Sequence, residues 1–154
     1  MKWVTHEIVT GVVVYAATND PLLSVCSMAG AIMPDRVEGS PGNTGWTSWR
    51  SRHRGWSHWP VIYVLLILLL MGKPPYVVDT LSLGDLRVPG IFICVGALLH
   101  IAEDALCGKV PLLLPWQKVG VRLFKVGSFR EYLAALVLVL LTYVIKLAAA
   151  AAIR

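Results

Sequence analysis

Five apolar stretches, at about residues 3–18, 21–34, 59–71, 89–107 and 131–152, occupy most of this 154-residue chain and leave it little choice but helices that pack in or against a membrane. Only the last two approach the roughly 20 residues that a full crossing requires. At about 1.5 Å per residue the first three are short, extended by their flanks, or partly re-entrant. With 56% hydrophobic and only 15% charged residues, the chain is too apolar for an ordinary water-soluble domain. The reading is all-α: a polytopic membrane bundle of about five short helices forming one domain over residues 1–154. A soluble all-helical enzyme is the fallback, given how short the first three segments are. The opening "MKWVTHEIVTGVVVYAATND" has one Lys, a His and a Glu near its start and no small-x-small cleavage site, so it is read as structure and not as a signal peptide. "TNDP" at 18–21 is a tight turn, with Pro21 placed to start the second helix.

The basic residues report topology. Residues 35–58 carry Arg36, Arg50, Arg52 and Arg54, and residues 108–130 carry Lys109, Lys118, Arg122, Lys125 and Arg130. Between them, residues 72–88 balance Lys73 and Arg87 against Asp79 and Asp85. The positive-inside rule then puts the two basic loops and the N-terminus in the cytoplasm and the 72–88 loop outside. The net charge of +5 is absorbed by this asymmetry, and no nucleic-acid partner is expected. Residues 117–130, "QKVGVRLFKVGSFR", alternate apolar and basic side chains and fit either a short hairpin or an amphipathic element on the membrane surface. Cys26, Cys94 and Cys107 show no CxxC spacing and read as packing residues.

The ionisable residues fall at segment ends. His6 opens the first, Asp35 closes the second, His53 and His58 precede the third, and His100, Glu103 and Asp104 lie in the last turns of the fourth. Helices that alternate in direction bring all of these, and all four histidines of the chain, to one end of the bundle, on the cytoplasmic side. His100 and Asp104, four apart in "LLHIAEDAL", share one helix face and can grip one ion. Charges at membrane depth cost about 2.5–3.5 kcal/mol each, so several in one apolar helix imply partners or a site. Imidazole with carboxylate suits Zn²⁺ first, with Mn²⁺ or another divalent transition metal as alternatives. Arg54, between His53 and His58, is placed to hold a phosphate bidentately. Trp3, Trp46, Trp49, Trp56, Trp59 and Trp116 map to the same side, as headgroup-level anchors or as a platform admitting lipid headgroups.

Taken in order, "TH" at 5–6, "MPD" at 33–35, "HRGWSH" at 53–58, "HIAED" at 100–104 and "PLLLPW" at 111–116 resemble the motifs of the LexA-regulated, inner-membrane-associated metal-dependent hydrolases of the YdjM-like family. That family usually reads Leu-Pro-Asp-x-Asp where this chain has Met33-Pro34-Asp35-Arg36-Val37, so a second metal requires Glu38 or Glu103 to substitute. The ligand order is also similar, more loosely, to that of zinc-dependent phospholipases C and related single-strand nucleases. This second resemblance implies Asp35, His58, His100 and Asp104 on one metal with His6 near another. His58 is favoured over His53 as the ligand, and His53 takes a phosphate-facing or proton-transfer role.

The resemblance implies a membrane-bound hydrolase using one or two zinc ions, and a site at the headgroup level rimmed with Trp and Arg points to a phosphate ester or pyrophosphate carried by a membrane lipid. In it Arg54 neutralises the phosphate, and Glu103 or Asp35 takes a proton from the attacking water. The competing expectation is a non-catalytic scaffold or partner-binding module whose metal is structural. Metal transport is disfavoured, because the third and fifth segments offer almost no ionisable residues beyond Lys146.

Overall fold

A computed structural model of the chain describes residues 1–39, 42, 45–72 and 86–152. Lys73, Asp79 and Asp85 lie outside the described residues, as do the side chains of Arg50 and Arg52. The elements run α1 (Trp3–Thr18), α2 (Pro21–Glu38), α3 (Trp46–Arg52), a single 3₁₀ turn (Trp56–His58), α4 (Pro60–Met71), α5 (Arg87–Cys107), β1 (Val110–Pro111), β2 (Lys118–Val119) and α6 (Phe129–Ala152). The all-α expectation holds, with six helices among the described residues in place of about five, because the 35–58 loop folds a short helix of its own.

Local chemistry sets the boundaries. Asn19 ends α1 in the left-handed conformation, with φ 55° and its N–H on the Tyr15 carbonyl. Asp20 then caps α2 by accepting from Leu22 and Leu23 N–H at 2.8 and 3.2 Å, and Pro21 takes the first helical position. Helix α2 runs four residues beyond the expected end at 34, carrying Pro34 inside it. The helix forgoes the one bond that the Pro34 nitrogen cannot donate, and in return it adds the turn that bears Asp35 and Glu38. The open question over residues 117–130 is answered in part: Lys118–Val119 pairs antiparallel with Val110–Pro111 as a hairpin. The chain then crosses the end of α5, where Val121 and Leu123 N–H satisfy the Ala105 and Leu106 carbonyls at 2.8 and 2.7 Å.

Helices α2 and α5 form the centre of the bundle and touch backbone to backbone. A Cβ added at Gly30 would lie 1.9 Å from the Ile93 carbonyl oxygen, and one at Gly96 would lie 1.9 Å from that of Ser27. Small residues at a helix crossing allow this approach. Residues 27–30 meet 93–96 and Asp35 meets His100, so the two helices run parallel and bring their C-terminal turns together. Helix α1 folds back along α2, with Ser24 Oγ donating to the Gly11 carbonyl. Helix α6 lies parallel to α1, tied at one end by Lys2 Nζ on Tyr132 and at the other by Lys146 Nζ on Asn19.

Among the described residues, two helices, α5 and α6, are long and apolar enough to cross a membrane. The apolar window of α6 is not covered by the rest of the chain, as a lipid-facing helix requires, whereas that of α5 is partly covered. Helix α4, with 12 residues, is more apolar than either but shorter than a span.

Candidate metal centre

The parallel run of α2 and α5, with α1 folded back beside α2, gathers at one end of the bundle the starts of α1, α4 and α6 and the ends of α2 and α5. His6, His58 and His100 are there with no solvent exposure at all. Rings 6 and 100 lie 4.0 Å apart between centroids, 58 and 100 5.2 Å, and 53 and 58 5.8 Å. Three imidazoles buried this deeply need partners on their ring nitrogens, and carboxylates supply most of them.

The donor atoms form two triads that share His100: Asp35, His58 and His100, and His6, His100 and Asp104. In the first, His58 Nε2 is 3.2 Å from His100 Nε2, and Asp35 Oδ1 is 3.4 Å from His58 Nε2 and 3.8 Å from His100 Nε2. Asp104 Oδ2 stands 3.7 Å from His58 Nε2 and 3.9 Å from His100 Nε2. Donors at about 2.0–2.1 Å from a common ion, at tetrahedral corners, are spaced about 3.3 Å apart. Among the described residues, Asp35 Oδ1 and His6 Nε2 are buried without a hydrogen bond, although His6 Nε2 is 3.3 Å from Asp104 Oδ1. Spacing and donor chemistry fit a divalent ion on Asp35, His58 and His100, with Asp104 Oδ2 within 3.9 Å of both imidazoles and His6 adjacent through Asp104.

Behind these donors stands a row of carboxylates. Glu103 Oε2 is 2.6 Å from His6 Nδ1 and its other oxygen accepts from Thr10 Oγ1. Glu38 reaches His58 Nδ1 at 3.0 Å and His53 Nδ1 at 2.8 Å, and also accepts from Ser57 Oγ and the Gly55 N–H. A carboxylate on Nδ1 fixes the tautomer that leaves the Nε2 lone pair free for an ion. His100 Nδ1 has no partner among the described residues.

The remaining candidates sit where the sequence could not place them. Glu103 faces His6 and not the shared centre, so its carboxylate is engaged by an imidazole. His53 is outside the Asp35–His58–His100 triad, a quarter exposed, held by Glu38 and stacked on Trp49 at 4.1 Å. It does approach Asp35 and Glu38 closely enough for the three to share an ion. Arg54 points inward, with Nε 2.8 Å from Asp104 Oδ2 and Nη2 3.2 Å from Cys107 Sγ. Its backbone is left-handed at φ 57°, and Gly108 makes room for it, since a Cβ there would lie 1.6 Å from Nη1. Cys107 is thus a neighbour of the polar centre and not the packing residue expected; its thiol also lies 3.4 Å from the N-terminal ammonium, which ion-pairs with Asp104 Oδ1 at 2.6 Å. Cys94 does pack in the core, beside Tyr63, Ala97 and Ile101.

Electrostatics outside the apolar helices predict a pH window. Burial alone would lower the His58 imidazole, but the nearby carboxylates of Asp35 and Glu38 outweigh it and raise its pKa from 6.5 to about 8. Burial alone would raise the Glu38 carboxyl, but His53, His58 and Ser57 hold it well below its ordinary 4.5. The raised histidine stabilises the fold fully below 6.5 and loses that contribution as the pH climbs through about 8. The depressed carboxylate stabilises above 4.5 and loses its contribution as the pH falls below that. Chelator-treated protein is therefore expected to melt highest between about pH 4.5 and 6.5, with Tm falling on both sides. Melts in detergent from pH 3 to 9 check this, and a Tm that rises monotonically to pH 9 refutes it.

A family model described as YdjM inner membrane protein matches residues 1–153. No curated protein and no solved structure matches the chain.

Proposed function

We propose, from the premise that this chain belongs to the YdjM inner membrane protein family, that it is a metal-dependent hydrolase of phosphate esters or pyrophosphates carried by membrane lipids. The reading places it as a multi-pass protein of the inner membrane, with its site toward the cytoplasm, where the basic loops lie. One observation carries the chemistry: three fully buried histidines and two aspartates from four separate elements converge with neighbouring donors 3.2–3.9 Å apart, His6 through Asp104. A purely structural fold has little use for such a costly assembly.

Zn²⁺, or Mn²⁺, would be held by Asp35, His58, His100 and Asp104; when bound, such an ion polarises a phosphoryl oxygen and brings the pKa of a water toward 7. The protein's own groups supply the rest. Glu38 keeps the proton of His58 on Nδ1 and so keeps Nε2 aimed at the centre. Glu103 does the same for His6, whose Nε2 makes no hydrogen bond among the described residues and is placed to accept a proton from an attacking water. Glu103 thus contributes to proton transfer through His6 and not by direct contact. Arg54 balances the charge of Asp104, and His53, fixed on one nitrogen and partly exposed, is placed to exchange protons with solvent.

A second reading is favoured by the closure of the centre. Four protein donors around one ion leave no position for water, which is how structural sites are built. On that reading the metal braces a scaffold that docks partner proteins by its basic loops. The discriminating experiment strips detergent-purified protein with chelator, reloads it with Zn²⁺ or Mn²⁺, and offers a panel of lipid phosphates and pyrophosphates. Phosphate release that requires reloading is expected. A reloaded protein that binds metal stoichiometrically and releases none from any of them leaves the scaffold.

A further inference from the structure

Beside the centre lies a groove of about 870 Å³ formed by the segment that leads into α6. Its size is that of a small-molecule site. Arg122, Lys125 and Arg130 line it together with Leu123, Val126 and Phe129. All six are exposed, no carboxylate lines the groove, and no ion pair among the described residues engages any of the three cations. Cation and hydrocarbon side by side fit an amphiphile with an anionic head, and not a fully hydrophilic ion.

The groove is fixed in place and leads inward. Backbone bonds from Val121 and Leu123 pin its wall to the last carbonyls of α5, and Arg122 between them adopts a left-handed φ of 58°. Cys107 lines its inner end, and the Cys107 thiol lies 3.2 Å from Arg54 and 3.5 Å from Asp104 Oδ1. One side chain therefore separates the groove from a residue of the centre. Nearby, the tip of the β1–β2 hairpin presents Leu112, Leu113, Leu114 and Trp116 to the exterior at 47, 70, 38 and 74% exposure, with Lys109 and Lys118 at its base. Apolar side chains at a loop tip above flanking lysines are suited to enter a leaflet while the ammonium groups stay among headgroups.

We infer that this groove binds the phosphate headgroup of an anionic membrane lipid, with Arg122, Lys125 and Arg130 on the phosphate and Leu123, Val126 and Phe129 along the first part of the chain. As the entrance by which a lipid substrate reaches Asp104, it rests on the hydrolase reading above; as a lipid site it is measured without turnover.

The test uses the full chain in detergent, in chelator, with short-chain phosphatidic acid as probe. Phosphatidylcholine of the same chain length, inorganic phosphate and a single-stranded oligonucleotide serve as the other ligands. Phosphatidic acid is expected to bind, and to bind at least about tenfold more weakly to the triple variant Arg122→Gln, Lys125→Gln, Arg130→Gln. The charge-keeping triple variant Arg122→Lys, Lys125→Arg, Arg130→Lys is expected to retain binding, which separates loss of charge from loss of fold. Equal binding of phosphatidylcholine, of inorganic phosphate or of the oligonucleotide, or undiminished binding by the Gln variant, overturns the proposal. Binding that survives His100→Ala while hydrolysis does not supports the groove as a site of its own. Hydrolysis that fails in the wild type with lipid binding intact removes the enzyme and leaves the groove.

Discussion

Replacing His100 with alanine is expected to lower divalent-metal affinity by more than about a hundredfold, so that detergent-purified protein that carried about one equivalent of Zn²⁺ or Mn²⁺ carries almost none. His100 belongs to the two donor triads that contain the fully buried histidines, so its loss opens a gap in each of these. The variant should still fold. Among the described residues, Nδ1 of His100 has no partner to strand, and its Nε2 contacts other members of the centre. Glu38→Gln supplies the graded comparison. The amide can still accept from His58 Nδ1, but it lacks the charge, and an affinity loss of about 10–100-fold is expected, short of that for His100→Ala. Elemental analysis alongside circular dichroism reads both. Full metal occupancy in folded His100→Ala protein removes the metal centre, and the proposed hydrolase with it.

Much of this centre was legible in the sequence because helix direction alternates. Five apolar segments with ionisable residues at matched ends predict one cluster, and His6, His58 and His100 are in contact around it. His100 and Asp104 lay on one helix face by spacing alone. The supporting carboxylates were less visible, for identifiable reasons. Pro34 reads as a helix end, so residue 38 was not placed on the helical face of Asp35, although three residues on is the next position of that face once the helix continues. Glu103 reads as a free base because its partner, His6, is 97 residues away, and no local pattern announces that pairing. Arg54 reads as phosphate-facing because nothing in "HRGWSH" shows its left-handed backbone or the space that Gly108 leaves for it. The two-residue strands of the hairpin are too short to express a period, so the 117–130 segment stayed ambiguous. The docking of α1 against α6 rests on Glu131, buried under Lys2 N–H and Thr5 Oγ1, and a lone glutamate near a helix start otherwise reads as a solvated charge.

Gly96 is where packing and chemistry depend on the same atoms, and Gly96→Leu is expected to be strongly destructive although it lies outside the centre. Helices α2 and α5 approach until the position of a new Cβ coincides with the Ser27 carbonyl, 1.9 Å away, and backbone, unlike a flexible side chain, cannot swing aside. The helices must move apart by more than an ångström or rotate, which strips contacts along Ser27, Gly30, Ala31, Cys94 and Ala97, all buried or half-buried. The cost is expected at about 3 kcal/mol or more, enough to lower Tm in detergent by several degrees. The same displacement carries Asp35 away from His100, now 3.8 Å distant, so metal affinity should fall although no donor has been altered. Gly90→Ala on the same helix is the control. Among the described residues its Cβ would meet the Leu70 side chain, with Cδ1 at 3.2 Å, a methyl group that can rotate away, and both Tm and metal content should stay near wild type. If Gly96→Leu melts with the wild type and keeps its metal, α2 and α5 do not cross at Gly96, and the positioning of Asp35 against His100 needs another cause.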